Sequence, residues 1–456
     1  MTTPQGQVAA PAGTDGHKEV DRASRKAMRR VGLASFTGTL IEFYDFLIYG
    51  FAAALVFSDV FFPALGTAAG TVASFATLGV ALVARPLGSI IFGHFGDRLG
   101  RKKTLVTTLM MMGGATILVG LMPTADQIGI WAPILIVVLR IFQGLAAGGE
   151  WAGAVMFAAE YAPPGKRGFW TMIPPFGGGC SLALAPAVFA ITSASMSDEA
   201  FLAYGWRIPF LLSAILVAVG LYVRLKIEET PVFKAEQARS GASKLPFIEA
   251  LKSQPRQILL GIGIVVTVPT FSYLGAAYLP NYATTQLGLD RTLVLTLGIV
   301  AGVMYAASIL AGGVLADRIG RRKSLLWANS LAVLWALVLF PFLNIGTAWA
   351  FGVGLCITLI LAGAALGPVG AVLSELFHTR FRYTASGFSY SVAQIIGGAI
   401  PPLIGAAIIA AAGSFVFGLF VTALCLIGLV SVWLLKETAD EDLGEVGSTA
   451  ADIDAA

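Results

Sequence analysis

Twelve stretches of this chain are long and apolar enough to cross a lipid bilayer, and that repetition limits the fold more than any other feature. A helix needs about 20 mostly apolar residues to traverse the hydrocarbon core. Candidates fall at about 31–57, 70–93, 104–122, 130–157, 168–194, 206–226, 257–286, 292–316, 324–344, 347–375, 385–411 and 414–435. Strands of a membrane barrel would instead alternate over about 10 residues. Charged residues make up only 12% of the sequence, about half the share of a soluble domain. The expected fold is therefore an all-α membrane protein of twelve helices.

The basic residues set an orientation. Of 30 Lys and Arg, 26 fall in the N-terminal tail, in the loops after spans two, four, six, eight and ten, or just after span twelve, all on one side. By the positive-inside rule both termini and the long middle loop are predicted to be cytoplasmic. This placement accounts for the sequence pI of 8.9 without a nucleic-acid partner. The polar start has no short apolar core, so no removable signal peptide is expected. Residues 1–27 and the acidic stretch 437–456 read as disordered tails. The three Cys and three His are scattered, so neither a disulfide framework nor a metal site is expected. With no phosphate-cradling loop and no soluble catalytic domain, the sequence reads as neither an enzyme nor a transport ATPase.

The chain repeats itself. GHFGDRLGRKK at 93–103 and GVLADRIGRRK at 313–323 align at an offset of 220 residues, and Glu160–Arg167 and Glu375–Arg382 share a spacing of seven. The reading is an N-terminal six-helix bundle over 28–227, a linker over 228–255, and a C-terminal six-helix bundle over 256–436. Parallel repeats of this kind build many secondary transporters, with the substrate site between the halves.

These loops resemble the hallmark loop of the major facilitator superfamily. EFYDFLIYG in the first span, RIFQGLAAGGEWAGA in the fourth, EYAPPGKRG after it, YGWRIPF entering the sixth and EETPVF leaving it are similar to the superfamily's metabolite:proton symporters. That branch includes carriers of shikimate, α-ketoglutarate, citrate, and proline or betaine; the first-half motifs look closest to the shikimate carriers. The resemblance implies a pseudo-symmetric multi-pass protein of the bacterial cytoplasmic membrane, working as a monomer on a small-molecule substrate and a proton, with no cofactor. It also implies that Asp97, Arg98, Arg101 and Glu160, with Asp317, Arg318, Arg321 and Glu375, tie helix ends together as gates. The charges permit this: Asp97 can pair with a base or sit at a helix N-terminus, and the arginines can reach the glutamates.

Inside the spans, Glu42, Asp45 and Tyr49 share one helix face, as do Arg140, Gln143, Ala147 and Glu150. Intramembrane ionisable groups avoid lipid and mark function by default, so both faces are expected to line the cavity between the halves. Burial favours a protonated carboxyl group and a nearby cation favours its anion. Asp45, then Glu42, is the expected proton carrier; the alternative for each is a fixed partner of Arg140 or Arg85. Arg140 offers a bidentate fork to an anionic substrate, or an internal bridge to Glu150, Glu42 or Asp45. Arg85 is expected to snorkel toward the cytoplasmic end. Tyr273 and Asn281 in span seven, with Thr267, Thr270 and Tyr278, and Tyr390 and Gln394 in span eleven, are candidate hydrogen-bonding groups of the second half. Tyr204, Trp206 and Trp131 read as an outer aromatic belt. The leading function is proton-driven uptake of a small organic acid; uptake of a zwitterion such as proline or betaine, or facilitation without a proton, are the alternatives.

Overall fold

The computed structural model of the chain describes residues 14–163, 165–230, 233–234, 237–238 and 245–439; side chains before Met28 and at positions 67, 68, 198 and 291 are not among them. Among these residues, twelve helices are long and apolar enough to cross a membrane: α1 (Met28–Leu55), α2 (Ala69–Leu99), α3 (Arg101–Leu121), α4 (Trp131–Tyr161), α5 (Arg167–Ala194), α6 (Phe201–Leu225), α7 (Pro255–Thr285), α8 (Thr292–Ile319), α9 (Arg321–Leu343), α10 (Ala348–Leu376), α11 (Arg382–Ala412) and α12 (Ser414–Trp433). In the first half α2 packs on α4, α1 on α5 and α6, and α3 on α4 and α6. In the second, α8 packs on α10, α9 on α10 and α12, and α7 on α10 and α12. The halves meet where α11 lies against α2 and α4, and where α8 lies against α5.

The repeated loops are mostly helix. GHFGDRL forms the last two turns of α2 and VLADRI closes α8, so Asp97 and Asp317 project from helices. Each helix stops at a single glycine, Gly100 with φ 109° and Gly320 with φ 97°, a conformation that glycine alone adopts without strain. The next helix begins at once, which holds the ends of α2 and α3, and of α8 and α9, side by side.

Three stretches carry π-helical turns: Phe201–Gly205 entering α6, Leu274–Tyr278 in α7 and Gln394–Ala399 in α11. The last two run up to Pro280 and Pro401, which lack the N–H for an ordinary helical bond. The wider turn re-registers the ladder around them, as expected for local bulges. Just before Pro174–Pro175, α5 breaks at Met172 between Arg167–Thr171 and Ile173–Ala194.

Several expectations are corrected. Helix α1 belongs to a longer helix that begins at Thr14, so residues 14–27 are helical where a disordered tail was expected; no proline interrupts the chain between Pro11 and Pro63. Glu437 at the start of the acidic tail accepts hydrogen bonds from the backbone N–H groups of Arg321 and Arg322. The rest of the two tails, residues 1–13 and 440–456, and parts of the linker lie outside the described residues. A short helix in the linker, Pro246–Ser253, packs against α2 and α11. Trp131 and Tyr204 are exposed, at 62% and 55%, but Trp206 is wholly buried against Phe57 and Phe61.

Glycine sets how closely α2 and α4 approach. A Cβ at Gly148 would lie 2.8 Å from the backbone nitrogen of Ser89, whereas one at Gly114 meets nothing within 4 Å. Forcing a side chain into such a contact typically costs about 1–3 kcal/mol. Gly148→Val should lower the melting temperature of the detergent-solubilised protein, while Gly114→Val should leave it unchanged.

Candidate functional site

The intramembrane charges converge in the first half. Glu42 and Asp45 of α1, Arg85 of α2, Met112 of α3, and Arg140 and Gln143 of α4 line one cavity of about 20 Å³. That volume admits a water and nothing larger. Phe46, also in its wall, meets the ring of Tyr273 from α7 edge-on at 6.0 Å. The second half thereby touches the cavity wall through one aromatic contact.

The two carboxylates have different partners. Glu42 pairs with Arg85 at 3.2 Å, both buried. Arg85 therefore turns inward to a carboxylate, where snorkelling was expected, because a buried cation so close to an acid gains more from pairing than from reaching a distant surface. Asp45 accepts a hydrogen bond from the Thr116 hydroxyl at 2.7 Å, and Thr116 accepts one from Gln143 Nε2 at 2.6 Å. Arg140 lies over the ring of Tyr49, 3.0 Å from its centroid, and the Tyr49 hydroxyl is 2.5 Å from Thr77. Glu150, expected on the face of Arg140, instead forms an ion pair with Arg224 of α6 and accepts from Thr108 at 2.9 Å. That pair lies outside the cavity.

Five polar atoms in this site are buried without a hydrogen-bond partner among the described residues: Glu42 Oε2, Asp45 Oδ1, Arg140 Nε and Nη2, and Gln143 Oε1. Each such group costs about 1–3 kcal/mol when nothing satisfies it. Their convergence on one cavity marks the place where a polar guest would be accepted.

Of the second-half candidates, Tyr273 reaches the cavity wall through Phe46. Tyr390 is stacked on Trp151 of α4, with ring centroids 3.6 Å apart and planes at 5°. Gln394 is buried with Oε1 unpartnered. Asn281 stands apart: it is exposed near the end of α7, and its carbonyl accepts from Thr284 and Thr285. Tyr278 packs on Phe417 at 5.0 Å, Thr267 donates to Asn329 at 2.6 Å, and Thr270 donates to the Val266 carbonyl at 2.7 Å. All three are engaged within the second half.

At the basic end, two aspartates cap helices across the seam, and two glutamates pair with arginines across it. Asp97 accepts from the backbone N–H groups of Tyr383 and Thr384 at 3.2 and 3.0 Å and from the Thr384 hydroxyl at 2.7 Å. It thus caps the positive N-terminus of α11. Asp317 does the same for α5, accepting from Gly168 and Phe169 at 2.8 Å each. Behind them Glu160 pairs with Arg101 and, at 3.5 Å, with Arg382, and accepts from Thr230 at 2.5 Å. Glu375 pairs with Arg321 at 3.3 Å and Arg167 at 3.5 Å, and accepts from Thr438 at 2.7 Å. Arg98 and Arg318 are exposed outside these clusters; Arg98 lies 3.2 Å from His94. Thr116, Arg224, Glu437 and Thr438 escaped the sequence reading, although Glu-Thr recurs at 229–230 and 437–438.

A twelve-helix bundle whose halves are tied together at one end, with a buried cluster of charges lining a small cavity in the first half, is the architecture of a membrane carrier. The sequence profile of the Major Facilitator Superfamily matches residues 35–402 and 260–451, and the chain belongs to that family. It is 41% identical over 419 residues to the inner membrane metabolite transport protein YhjE of Escherichia coli (strain K12), covering 91% of this chain and 95% of that one. It is 40% identical to the shikimate transporter of the same organism, covering 90% and 95%. Its fold matches that of the proton:xylose symporter XylE bound to 6-bromo-6-deoxy-D-glucose with a TM-score of 0.78 at 16% identity, covering 93% and 99%. The protein is a multi-pass bacterial inner-membrane transporter of metabolites and not an enzyme.

The seam latches yield a prediction. Asp97→Ala removes three hydrogen bonds to a carboxylate, each worth about 1.5–3 kcal/mol, so the equilibrium should move at least about tenfold toward separation of the basic ends. Electron-resonance distances between spin labels on Lys103→Cys and Lys323→Cys should lengthen; an unchanged distribution would show that the latch does not hold this state.

Proposed function

We propose that the protein is a proton-coupled symporter that takes up a small organic monoanion of the shikimate type by alternating access. The observation that carries this reading is Arg140, buried to 2% exposure with two N–H-bearing nitrogens unpartnered and no carboxylate in ion-pair contact among the described residues. It lines the same cavity as Asp45, which among the described residues has an oxygen without a hydrogen-bond partner and no guanidinium in ion-pair contact, although Arg140 attracts it through space. A planar fork with open donors is suited to a carboxylate.

The charges then impose a rule. Glu42, Asp45, Arg85 and Arg140 sum to zero when all are ionised. A proton alone makes the closed site a net cation, and an organic anion alone makes it a net anion. Either is expensive away from water. Proton and monoanion together restore neutrality, so the doubly loaded and empty forms are the ones able to close and reorient. Asp45 is the proton carrier in this scheme. Glu42 serves as the fixed counterion of Arg85, and Arg140 anchors the substrate.

Reorientation is a rocking of the six-helix halves over 28–227 and 256–436 about the seams of α2 with α11 and α5 with α8. The basic end faces the cytoplasm under the positive-inside rule, and the Asp97 and Asp317 latches close it while the other side is open. Shikimate carries one carboxylate and several hydroxyls, which suits a site with arginine in one half and phenols and amides in the other. The carrier works as a monomer, driven by the proton gradient without a cofactor. Proline or betaine uptake is the second reading, because the sequence resembles carriers of those solutes too.

Reconstituted in proteoliposomes with an imposed inward proton gradient, the wild type should concentrate shikimate above α-ketoglutarate, citrate, proline or betaine. Asp45→Asn should lose accumulation yet keep exchange of shikimate across the membrane. Arg140→Gln should lower anion uptake by about two orders of magnitude, as when one partner of a buried charge pair is removed, and a zwitterion would be spared. Undiminished accumulation by Asp45→Asn removes Asp45 from the coupling role. Uptake indifferent to collapsing the gradient means a facilitator.

A further inference from the structure

We propose that Thr116 is a hydrogen-bond switch that turns the protonation state of Asp45 into the orientation of the Gln143 amide, and so into the site's affinity for an anion. The inference rests on the proton-coupled reading above and adds a positioning residue to it.

A threonine hydroxyl has one proton to give and two lone pairs. In the structure Gln143 Nε2 donates to Thr116 Oγ1 at 2.6 Å, and Thr116 Oγ1 lies 2.7 Å from Asp45 Oδ2 and 3.0 Å from the Met112 carbonyl of its own helix. Gln143 Oε1 has no partner among the described residues and belongs to a side chain that lines the cavity. This is the arrangement an ionised Asp45 requires. A carboxylate only accepts, so it claims the single Thr116 proton, and Gln143 must point its N–H at Thr116. The amide oxygen is then the atom left for a guest. A substrate carboxylate is repelled by it.

Turning the amide over while Asp45 is ionised would set two acceptors, the carboxylate and Gln143 Oε1, against one hydroxyl proton, and one would go unsatisfied. A proton on Asp45 lifts that conflict. The acid O–H donates to Thr116, the Thr116 O–H rotates away from Asp45 to donate to Gln143 Oε1 while staying covalently bound, and the amide NH2 faces the cavity beside Arg140. No covalent bond other than that to the incoming proton changes. Protonation thus permits an anion-binding donor that ionisation forbids.

The charged and titratable groups around Asp45 supply no substitute route. On α1 they are Glu42, paired with Arg85 of α2, Tyr44, whose hydroxyl donates to the Pro209 carbonyl, and Tyr49, bonded to Thr77; Arg140 of α4 covers Tyr49 and attracts Asp45 through space. Helix α3 presents Met112 and Thr116, which carry no charge, and from the second half Tyr273 meets Phe46 of the wall. Thr116 alone among them bridges Asp45 to a neutral side chain that can reverse.

The test is calorimetric binding of shikimate to the purified full chain between about pH 8 and about pH 6, in a double-mutant cycle. Wild-type affinity should tighten as pH falls, and Thr116→Val, close in shape, should lose about tenfold of that tightening, the worth of one hydrogen bond to a charged group. Thr116→Ser should keep it. Gln143→Leu should lose the same amount, and adding Thr116→Val to Gln143→Leu should cost nothing further. Full tightening in Thr116→Val, or losses that add in the double variant, would overturn the switch. The Asp45→Asn arm separates the two readings: pH-dependence that survives it sinks the coupling role of Asp45 and the switch together, whereas its loss there with Thr116→Val unaffected sinks the switch alone. Absence of shikimate binding in the wild type overturns both.

Discussion

A guanidinium taken out of water needs a carboxylate, and the structure depends on how this chain meets that demand. Among the described residues, five arginines are buried to 2% exposure or less: Arg101, Arg140, Arg224, Arg321 and Arg382. Four of them are held by Glu160, Glu150 or Glu375. Removing one partner of such a pair typically costs about 3–5 kcal/mol, so these pairs fix which helices touch. Arg101 joins α3 to α4, Arg224 joins α6 to α4, and Arg382 brings α11 across the seam to α4. Arg140 is the exception, resting on an aromatic face in place of an acid. A fold that pairs its other deeply buried arginines has left this one available.

Helix α4 carries both ends of the resulting device. Arg140 and Gln143 stand in the cavity, Trp151 stacks on Tyr390 further along, and Glu160 closes the basic-end cluster. A rigid helix holding all of these cannot move at one level without moving at the others. The Trp151–Tyr390 stack lies on the same seam as the Asp97 cap of α11, so separating the halves there breaks an aromatic contact and a helix cap in one motion. The energy for that must come from loading the site, and a cavity of about 20 Å³ has to widen before a metabolite can enter it. The π-helical turns of α7 and α11, in the helices that bear Tyr273 and Gln394, are where the second half has slack to accommodate this widening.

The spans were legible because a bilayer demands about 20 apolar residues, and a local count finds them. The seam contacts of Asp97, Glu160, Asp317 and Glu375 were legible because the chain states them twice, at an offset of 220 for the aspartates and 215 for the glutamates. Partner choice was not legible. Glu42 and Asp45 share a helix face, and nothing within α1 tells that one meets Arg85 and the other Thr116, since those contacts join residues 43 and 71 positions apart. Helical periodicity gives a direction around an axis but not a depth along it, which is why Asn281 was grouped with Tyr273 although it stands near the exposed end of α7. Glu150 was misplaced for a related reason: its face is that of Arg140, but it sits ten residues further along, at the level of Arg224. The tail residues Glu437 and Thr438 were hidden by composition, since an acidic run reads as solvated until its first members prove to be caps.

The neutrality of the four-charge site also bears on which solutes it can distinguish. A zwitterion adds no net charge, so it could load without a proton, and its cationic end would compete with Arg85 and Arg140 for the two acids. A dianion entering with one proton would leave the closed cavity negative unless Glu42 were protonated as well, which would release Arg85 from its bridge. The pairing of Glu42 with Arg85 at 3.2 Å opposes that second protonation. Under the proposed symport scheme, the site therefore discriminates among solutes of similar size by charge before it discriminates by shape.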